Sequence, residues 1–151
     1  MVGPLSINAY LPSFPDIEAT FGATRAVLAQ SLTVYLLAFA VSTLFWGPLS
    51  DRVGRRRTLL ASMSLYLIAS IACALSPDAK SLLLWRAAQG LAASGGFIIA
   101  RAMIRDSYDT RSAHKAMTHV TLLFALGPAI APVLGGWLQQ LFGWRSLFWF
   151  L

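Results

Sequence analysis

One isolated arginine and one cluster of arginines in this sequence are placed so that they could act chemically within or beside a membrane. Arg86 lies inside the apolar stretch 82–103, while Arg52, Arg55 and Arg56 lie in a short polar segment between two uncharged runs. A guanidinium at the centre of an apolar span costs roughly 2.5–3.5 kcal/mol on insertion scales, so Arg86 is a candidate functional group. The alternative is that its side chain extends to the outer membrane surface, about one helical turn away.

The polar segment at 47–57 reads GPLSDRVGRRR. We expect Gly47 to allow close approach of neighbouring helices and Gly54 to form a tight turn. Asp51 can cap the following helix or pair with an arginine, and the arginines hold the segment at the membrane surface. The alternative is that this basic segment only directs the topology of the chain.

The composition favours a membrane protein. Hydrophobic residues make up 57% of the chain and charged residues 12%, with a mean hydropathy of +0.64. In soluble domains about 45–50% of the residues are apolar and about 25% are charged. The net charge of +6 could suggest nucleic-acid binding, but the basic residues lie in short gaps between uncharged spans, which argues against it. Cys73 is the only cysteine, so neither an intrachain disulfide nor a metal-ligand spacing is expected.

The apolar runs predict an all-α, polytopic membrane helix bundle, a single domain over residues 1–151. Assigning alternate gaps to alternate sides places eight basic residues on one side and three on the other, which makes the first side cytoplasmic. The first and last runs are shorter than the roughly 20 residues that cross a bilayer, so we expect a fragment. The predicted spans are about 2–14, 26–49, 58–76, 82–103, 116–138 and 145–151.

The pattern Gly-x-Leu-x-Asp-Arg-x-Gly-Arg-Arg between the second and third spans resembles the signature loop of the major facilitator superfamily of secondary transporters. The resemblance implies the N-terminal six-helix half of that fold, with its first and sixth spans incomplete and its second bundle absent. It also implies that this loop is a charge-linked conformational latch for one access state. The latch residues would be Gly47, Asp51, Arg52, Gly54, Arg55 and Arg56.

The fourth span contains Arg86-x-x-Gln89-Gly90, which resembles a motif of proton-driven members of that superfamily. The resemblance implies a role in proton transfer or coupling for Arg86, Gln89 and Gly90. Arg86 would face the first span, and Gln89 would form hydrogen bonds nearby. Gly90 also forms a small-xxx-small pair with Ser94, which is typical of closely packed membrane helices.

The fifth span resembles the motif that marks export members of the superfamily. Ala131 stands where that motif has its second glycine, and a proline-kinked span without a directional role is the alternative. The residues of this antiport motif would be Gly127, Pro128, Pro132, Gly135 and Gly136.

The first span, with Asn8 and then Tyr10-Leu11-Pro12, is similar to twelve-span drug/proton antiporters of the bicyclomycin- and chloramphenicol-resistance type. The segments 101–106 and 143–145 share this similarity. An acidic residue commonly precedes the Tyr-Leu-Pro in that branch, whereas Asn8 occupies the position here. Because an amide cannot carry a proton, coupling would use acids of the absent half or an altered mechanism.

Asn8, Tyr10, Tyr35 and Phe39 are candidates for the wall of a mid-membrane substrate cavity, since aromatic walls suit amphiphilic or cationic drugs. Core or lipid-facing contacts are the alternative for each aromatic residue.

We therefore expect a transporter that exports drugs or other small molecules by proton antiport with alternating access. Its partners would be the lipid bilayer, a small-molecule substrate, protons and a second bundle of the same protein, and its location the bacterial cytoplasmic membrane. We expect no enzyme activity, cofactor, metal or nucleic acid, because no nucleophile-and-base constellation or phosphate loop stands out. The alternative is a truncated, non-transporting membrane remnant or a helical module that binds a partner.

Overall fold

The computed structural model describes residues 2–151, except for the side chains of Val2 and Pro4. Within this range every regular element is helical, so the predicted all-α class is confirmed. A short 3₁₀ turn at Leu11–Ser13 separates the first two helices. The helices in chain order are α1 Val2–Asn8, α2 Phe14–Phe21, α3 Arg25–Val53, α4 Arg55–Ala74, α5 Ala79–Ser107, α6 Thr110–Phe142 and α7 Arg145–Phe150.

Helices α3 to α6 are each long and apolar enough to cross a membrane. Helices α3 and α5 each have 29 residues, a length of about 44 Å at 1.5 Å per residue. The hydrocarbon core of a bilayer is only about 30 Å thick. The ends of these helices therefore extend into the interfacial regions, where charged side chains are tolerated.

The helix boundaries differ from the predicted spans at two places. The first predicted span, 2–14, is interrupted by the turn that contains Pro12, because proline lacks the N–H that a continuing helix needs. Helix α2 then includes Asp16 and Glu18, which were predicted to lie in a gap. The second difference is that the polar segment after Gly47 is helical as far as Val53, so it is not a loop of several residues.

Helix α5 is the centre of the bundle, with α3 and α4 packed along it. Helix α1 lies against α6, and α7 lies against α4. The outward surfaces of the long helices are apolar: Leu44 is 73% exposed and Leu141 is 72% exposed. Such surfaces are stable in lipid, where exposed apolar side chains carry no cost of hydration.

The polar turns between the long helices contain a glycine with positive φ and two aspartates that cap the following helices. Gly54 alone separates α3 from α4, with φ +103°, a value that side-chain-bearing residues rarely adopt. Asp78 caps α5 in a capping box with Ser81, and Asp109 caps α6 by accepting from the Ser112 N–H. Hydrogen bonds from Ser81, chiefly its backbone N–H, hold the pKa of Asp78 below its ordinary value.

Candidate functional site

Arg86 lies on α5 and is 0% exposed. Its Nη1 donates to Ser6 Oγ of α1 at 2.8 Å and to Gln89 Oε1 at 2.6 Å. Gln89 Nε2 in turn donates to Ser70 Oγ of α4 at 2.8 Å. One guanidinium and one amide thus connect three helices, and Arg86 faces α1 rather than extending to the membrane surface.

The guanidinium of Arg86 also lies between two tyrosine rings. Its Cζ is 4.5 Å from the ring centroid of Tyr10 and 4.6 Å from that of Tyr35. Such cation–π contacts are worth about 2 kcal/mol or more in a desolvated setting. No carboxylate among the described residues pairs with Arg86, and its Nε has no hydrogen-bond partner there. Neutral dipoles and aromatic faces therefore stabilise this charge in place of a counter-ion.

Ser6 and Ser70 were missed by sequence reasoning, although they hold Arg86 and Gln89. Both are at most 1% exposed, and Ser6 Oγ also donates to Gln89 Oε1 at 3.3 Å. Serine is common in membrane helices, so its type alone carries little signal. Their positions opposite the Arg-x-x-Gln pair could only be recognised once the helices were placed side by side.

Tyr10 does not occupy the position expected of a cavity residue. Its side chain is 0% exposed, accepts a hydrogen bond from Ser31 Oγ at 3.1 Å, and contacts the rings of Phe14 and Phe148. The ring of Tyr10 belongs to the core and forms one face of the Arg86 site, whereas its place in the wall of a substrate cavity stays a prediction.

Tyr35 and Phe39 do line a cavity of about 250 Å³, whereas Asn8, which is half-buried, is not among its wall residues. The aromatic side chains of the wall form a continuous series. The ring centroids of Tyr35 and Phe39 are 6.5 Å apart, those of Phe39 and Phe97 6.1 Å, and those of Phe97 and Phe124 5.2 Å. The described wall residues are Gly3, Ile7, Tyr35, Leu36, Phe39, Phe97 and Phe124.

Helices α3 and α5 approach each other closely beside the Arg86 site. A Cβ added to Gly90 would collide with the backbone carbonyl of Tyr35, so only glycine fits there. Four residues further along α5, Ser94 Oγ lies 2.5 Å from Ser42 Oγ of α3. The small-xxx-small pair predicted at Gly90 and Ser94 therefore lies at a helix–helix contact.

At the opposite end of α5, Arg55 pairs with two carboxylates. Its Nη1 lies 2.6 Å from Asp51 Oδ1, and its Nε lies 3.0 Å from Asp106 Oδ2 of α5. Asp51 thus pairs with an arginine and does not cap α4, whose N-cap is Gly54. These contacts hold the turn between α3 and α4 against the end of α5.

Three other residues of the predicted latch have fewer contacts. Arg52 and Arg56 are exposed, and neither forms an ion pair with any residue in the described part of the chain. A Cβ at Gly47 would meet no atom within 4 Å. No close helix contact is therefore seen at Gly47 among the described residues, and its role in helix packing stays a prediction.

The antiport-motif segment lies within the uninterrupted helix α6, which contains Pro128 and Pro132. Gly127 and Gly135 are buried, and a Cβ at Gly135 would collide with the carbonyl oxygen of Ala9 near the end of α1. Gly136 faces open space. The motif thus places Gly135 against the end of α1, while the neighbouring Gly136 makes no such close contact.

At the end of the bundle opposite Gly54, Arg145 links α7 to α4; in the sequence this residue belonged to segment 143–145, which shares the family resemblance. Its Nε donates to the carbonyl oxygen of Ala74 at 3.0 Å, at the C-terminus of α4, and its Cζ lies 4.4 Å from the Trp144 ring centroid. Trp144 Nε1 donates to Thr20 Oγ1 of α2 at 3.2 Å. A cation near a helix C-terminus is favourable because the last carbonyls carry partial negative charge.

A bundle of long apolar helices around a buried arginine, with charged residues grouped at the helix ends, defines a polytopic membrane protein. Residues 1–151 match the family described as Major Facilitator Superfamily, and the chain belongs to this family. Its members are transporters and not enzymes, which confirms the sequence-based prediction at the level of the family.

Two bacterial members of the family are similar to this chain. The chain is 38% identical over 136 residues to the "Uncharacterized MFS-type transporter YdgK" of Bacillus subtilis (strain 168). These aligned residues make up 90% of this chain and 34% of that protein. It is 36% identical over 146 residues to the "Multidrug resistance protein MdtL" of Escherichia coli (strain K12 / DH10B), covering 97% of this chain and 37% of that protein. The chain thus spans about a third of the length of these relatives.

Proposed function

We propose that this chain is the N-terminal helix bundle of a secondary transporter that exports small molecules by proton antiport. The observation that carries the proposal is the buried Arg86–Gln89 pair, held by serines of α1 and α4 inside a match to a transporter family. A buried ionisable residue that has no acidic partner among the described residues is costly in a membrane bundle, so its presence supports a role in transport. The relatives named as multidrug resistance proteins suggest drugs as substrates.

Alternating access requires a second bundle that closes the cavity beside Tyr35 and Phe39. In this family the two halves rock against each other around a central site. The cavity wall found here would form one side of that site, and the corresponding helices of the other half would form the opposite side. The lipid bilayer, most simply the bacterial cytoplasmic membrane, surrounds both.

The ion pairs of Arg55 would make the turn at Gly54 a rigid part of the first bundle. Asp51 and Asp106 hold Arg55 from two helices, while Arg52 and Arg56 are left exposed at the same end. Exposed arginines at this position are suited to pair with acidic groups or helix C-termini of the second bundle in one access state. We propose this arrangement as the conformational latch.

The proton would be carried by a carboxylate of the second bundle. All six acidic residues of this chain lie on α2 or at the ends of the long helices, and Asn8 stands where related antiporters have an acid. The antiport-motif helix α6 would support exchange through its contact with α1 at Gly135, next to the segment that holds Arg86. Arg86 would then respond to the proton at a distance through α1 and Gln89.

The test is transport by the complete protein, defined here as the product of the whole reading frame that contains these residues. Cells expressing it are loaded with a panel of fluorescent drugs, and efflux is followed with and without a protonophore. Purified protein in liposomes is then given an imposed pH gradient, and substrate-dependent proton release is recorded. We expect efflux that collapses with the proton gradient and protons that move opposite to the substrate.

Two results would contradict the proposal. Efflux that persists with the protonophore but stops when sodium is removed would show that the coupling ion is sodium and not the proton. An absence of any transport, together with a reading frame that encodes no second set of apolar spans, would favour the non-transporting remnant or partner-binding module.

A further inference from the structure

Two arginines lie over rings of the cavity's aromatic wall. Arg86 stacks on Tyr35, with Cζ 4.6 Å from the ring centroid, and Arg101 stacks on Phe97, with Cζ 4.3 Å from the centroid. Tyr35 and Phe97 both line the cavity, with Phe39 between them. Two of the four rings in the series, Tyr35 and Phe97, therefore already have a guanidinium over one face.

Acidic groups lie away from this wall. The chain has six acidic residues, and none is among the described residues that line the cavity. Two are on α2, and the other four are at or beside the ends of α3, α5 and α6. The six are Asp16, Glu18, Asp51, Asp78, Asp106 and Asp109.

This arrangement is unfavourable for a cationic ligand for two reasons. An aromatic ring attracts a cation through the negative potential of its face, and two of the rings are already engaged by guanidinium groups. A positively charged ligand in the cavity would also be repelled by both arginines, and most strongly by Arg86, whose charge is fully buried and therefore little screened. An uncharged aromatic ligand meets neither cost, and an anionic one is attracted by the arginines.

We propose that this cavity accepts uncharged and anionic aromatic compounds and discriminates against lipophilic cations. The inference rests on the proposed transport function and specifies its substrate class. It differs from the expectation, drawn from the aromatic side chains alone, that amphiphilic or cationic drugs would be suitable substrates. The sign of the ligand charge is decided by what stacks on the rings, and that is visible only in the folded bundle.

The test compares three fluorescent probes that share one aromatic body: naphthol, naphthalenesulfonate and naphthyltrimethylammonium. Binding to the purified complete protein is measured by the change in naphthalene fluorescence. We expect the uncharged and anionic probes to bind at least about tenfold more tightly than the cationic probe, a difference of about 1.4 kcal/mol.

Two variants at one position test the electrostatic cause. Leu36 lines the cavity and is 49% exposed, so a polar side chain there does not have to be buried. Leu36→Asp places a carboxylate on the wall and should raise the affinity for naphthyltrimethylammonium at least about tenfold. Leu36→Asn has nearly the same shape as Leu36→Asp without the charge, so it should not produce this rise in affinity for the cationic probe.

The remaining outcomes overturn the inference in distinguishable ways. Equal or tighter binding of the cationic probe would show that the second half supplies a dominant acidic group. Energy-dependent drug efflux with no binding of any of the three probes would show that substrates bind elsewhere, while leaving the transport function intact. Failure of both binding and efflux would remove the transport function and this inference with it.

Discussion

The guanidinium of Arg86 donates a 2.8 Å hydrogen bond to the hydroxyl of Ser6, a residue 80 positions earlier in the chain. This contact fastens the central helix α5 to the first helix α1. The two residues lie beside the cavity wall, because Tyr35 stacks on the same guanidinium. A change at either residue should therefore affect transport more than membrane insertion.

Replacing Arg86 by alanine should reduce proton-driven efflux by more than about tenfold, since a loss of about 1.4 kcal/mol at the coupling step already changes a rate tenfold. Insertion should be retained, because the change removes a buried charge that has no counter-ion among the described residues. The measurement is protonophore-sensitive efflux at matched membrane levels of protein. Arg86→Lys is the control: it keeps the charge but cannot make the same stacked, forked contacts.

Unchanged efflux in Arg86→Ala would show that Arg86 has a structural role and does not take part in transport. A variant that fails to reach the membrane would show that the stacked tyrosines need the guanidinium for folding.

Alanine at Gly135 should destabilise the complete protein by about 1–3 kcal/mol, because the new Cβ collides with the carbonyl oxygen of Ala9. Gly136→Ala is a matched control in the next position, where no atom lies within 4 Å, and it should change stability by less than about 0.5 kcal/mol. Thermal unfolding in detergent gives the comparison. Similar effects of the two substitutions would mean that Gly136 is equally crowded in the complete protein.

Asp106→Asn should slow transport while hardly changing stability. Asp106 is 46% exposed, and exposed ion pairs contribute only about 0.2–1 kcal/mol. Its removal nevertheless frees Arg55 from α5, so the turn at Gly54 is held less firmly. We expect a lower maximal rate with an unchanged Michaelis constant, and a similar effect for Asp51→Asn.

Arg105→Gln is the control for that prediction, because Arg105 lies 3.9 Å from Asp106 and is 76% exposed. A loss of transport equal to that of Asp106→Asn would indicate a general effect of charge at this end of the bundle. Wild-type turnover in Asp106→Asn and Asp51→Asn would show that the basic segment at 47–57 only directs the topology of the chain.

The cap of α5 should make stability depend on pH in the acidic range. The pKa of Asp78 is lowered in the folded state, chiefly by the Ser81 N–H, so the folded protein binds this proton less readily than the unfolded chain. The stabilisation is fully present above the ordinary pKa of 3.8 and is lost as the pH falls through the lowered value. Thermal unfolding across this range should show a smaller pH dependence in Asp78→Asn, and an unaltered profile would show that the cap contributes nothing measurable.

Several features of the fold and site could be predicted because their signals are local in the chain. Uncharged runs indicated the long helices, and a glycine between polar residues indicated the turn at Gly54. An arginine in an apolar run was costly wherever the helix lay, so Arg86 could be selected as a candidate without knowing its neighbours. The break after α1 was less visible, since Pro12 lies in an otherwise apolar segment.

The sequence by itself determined the helical class, the family resemblance and the choice of Arg86. Only the tertiary structure decided that Ser6 and Ser70 hold the Arg86–Gln89 pair, that Tyr10 belongs to the core, and that Gly47 faces open space. The physical reason is that hydropathy and turn chemistry act over a few neighbouring residues. The partner of a side chain depends instead on the rotation and register of helices that are distant in the chain, and these are fixed by the contacts of the whole bundle.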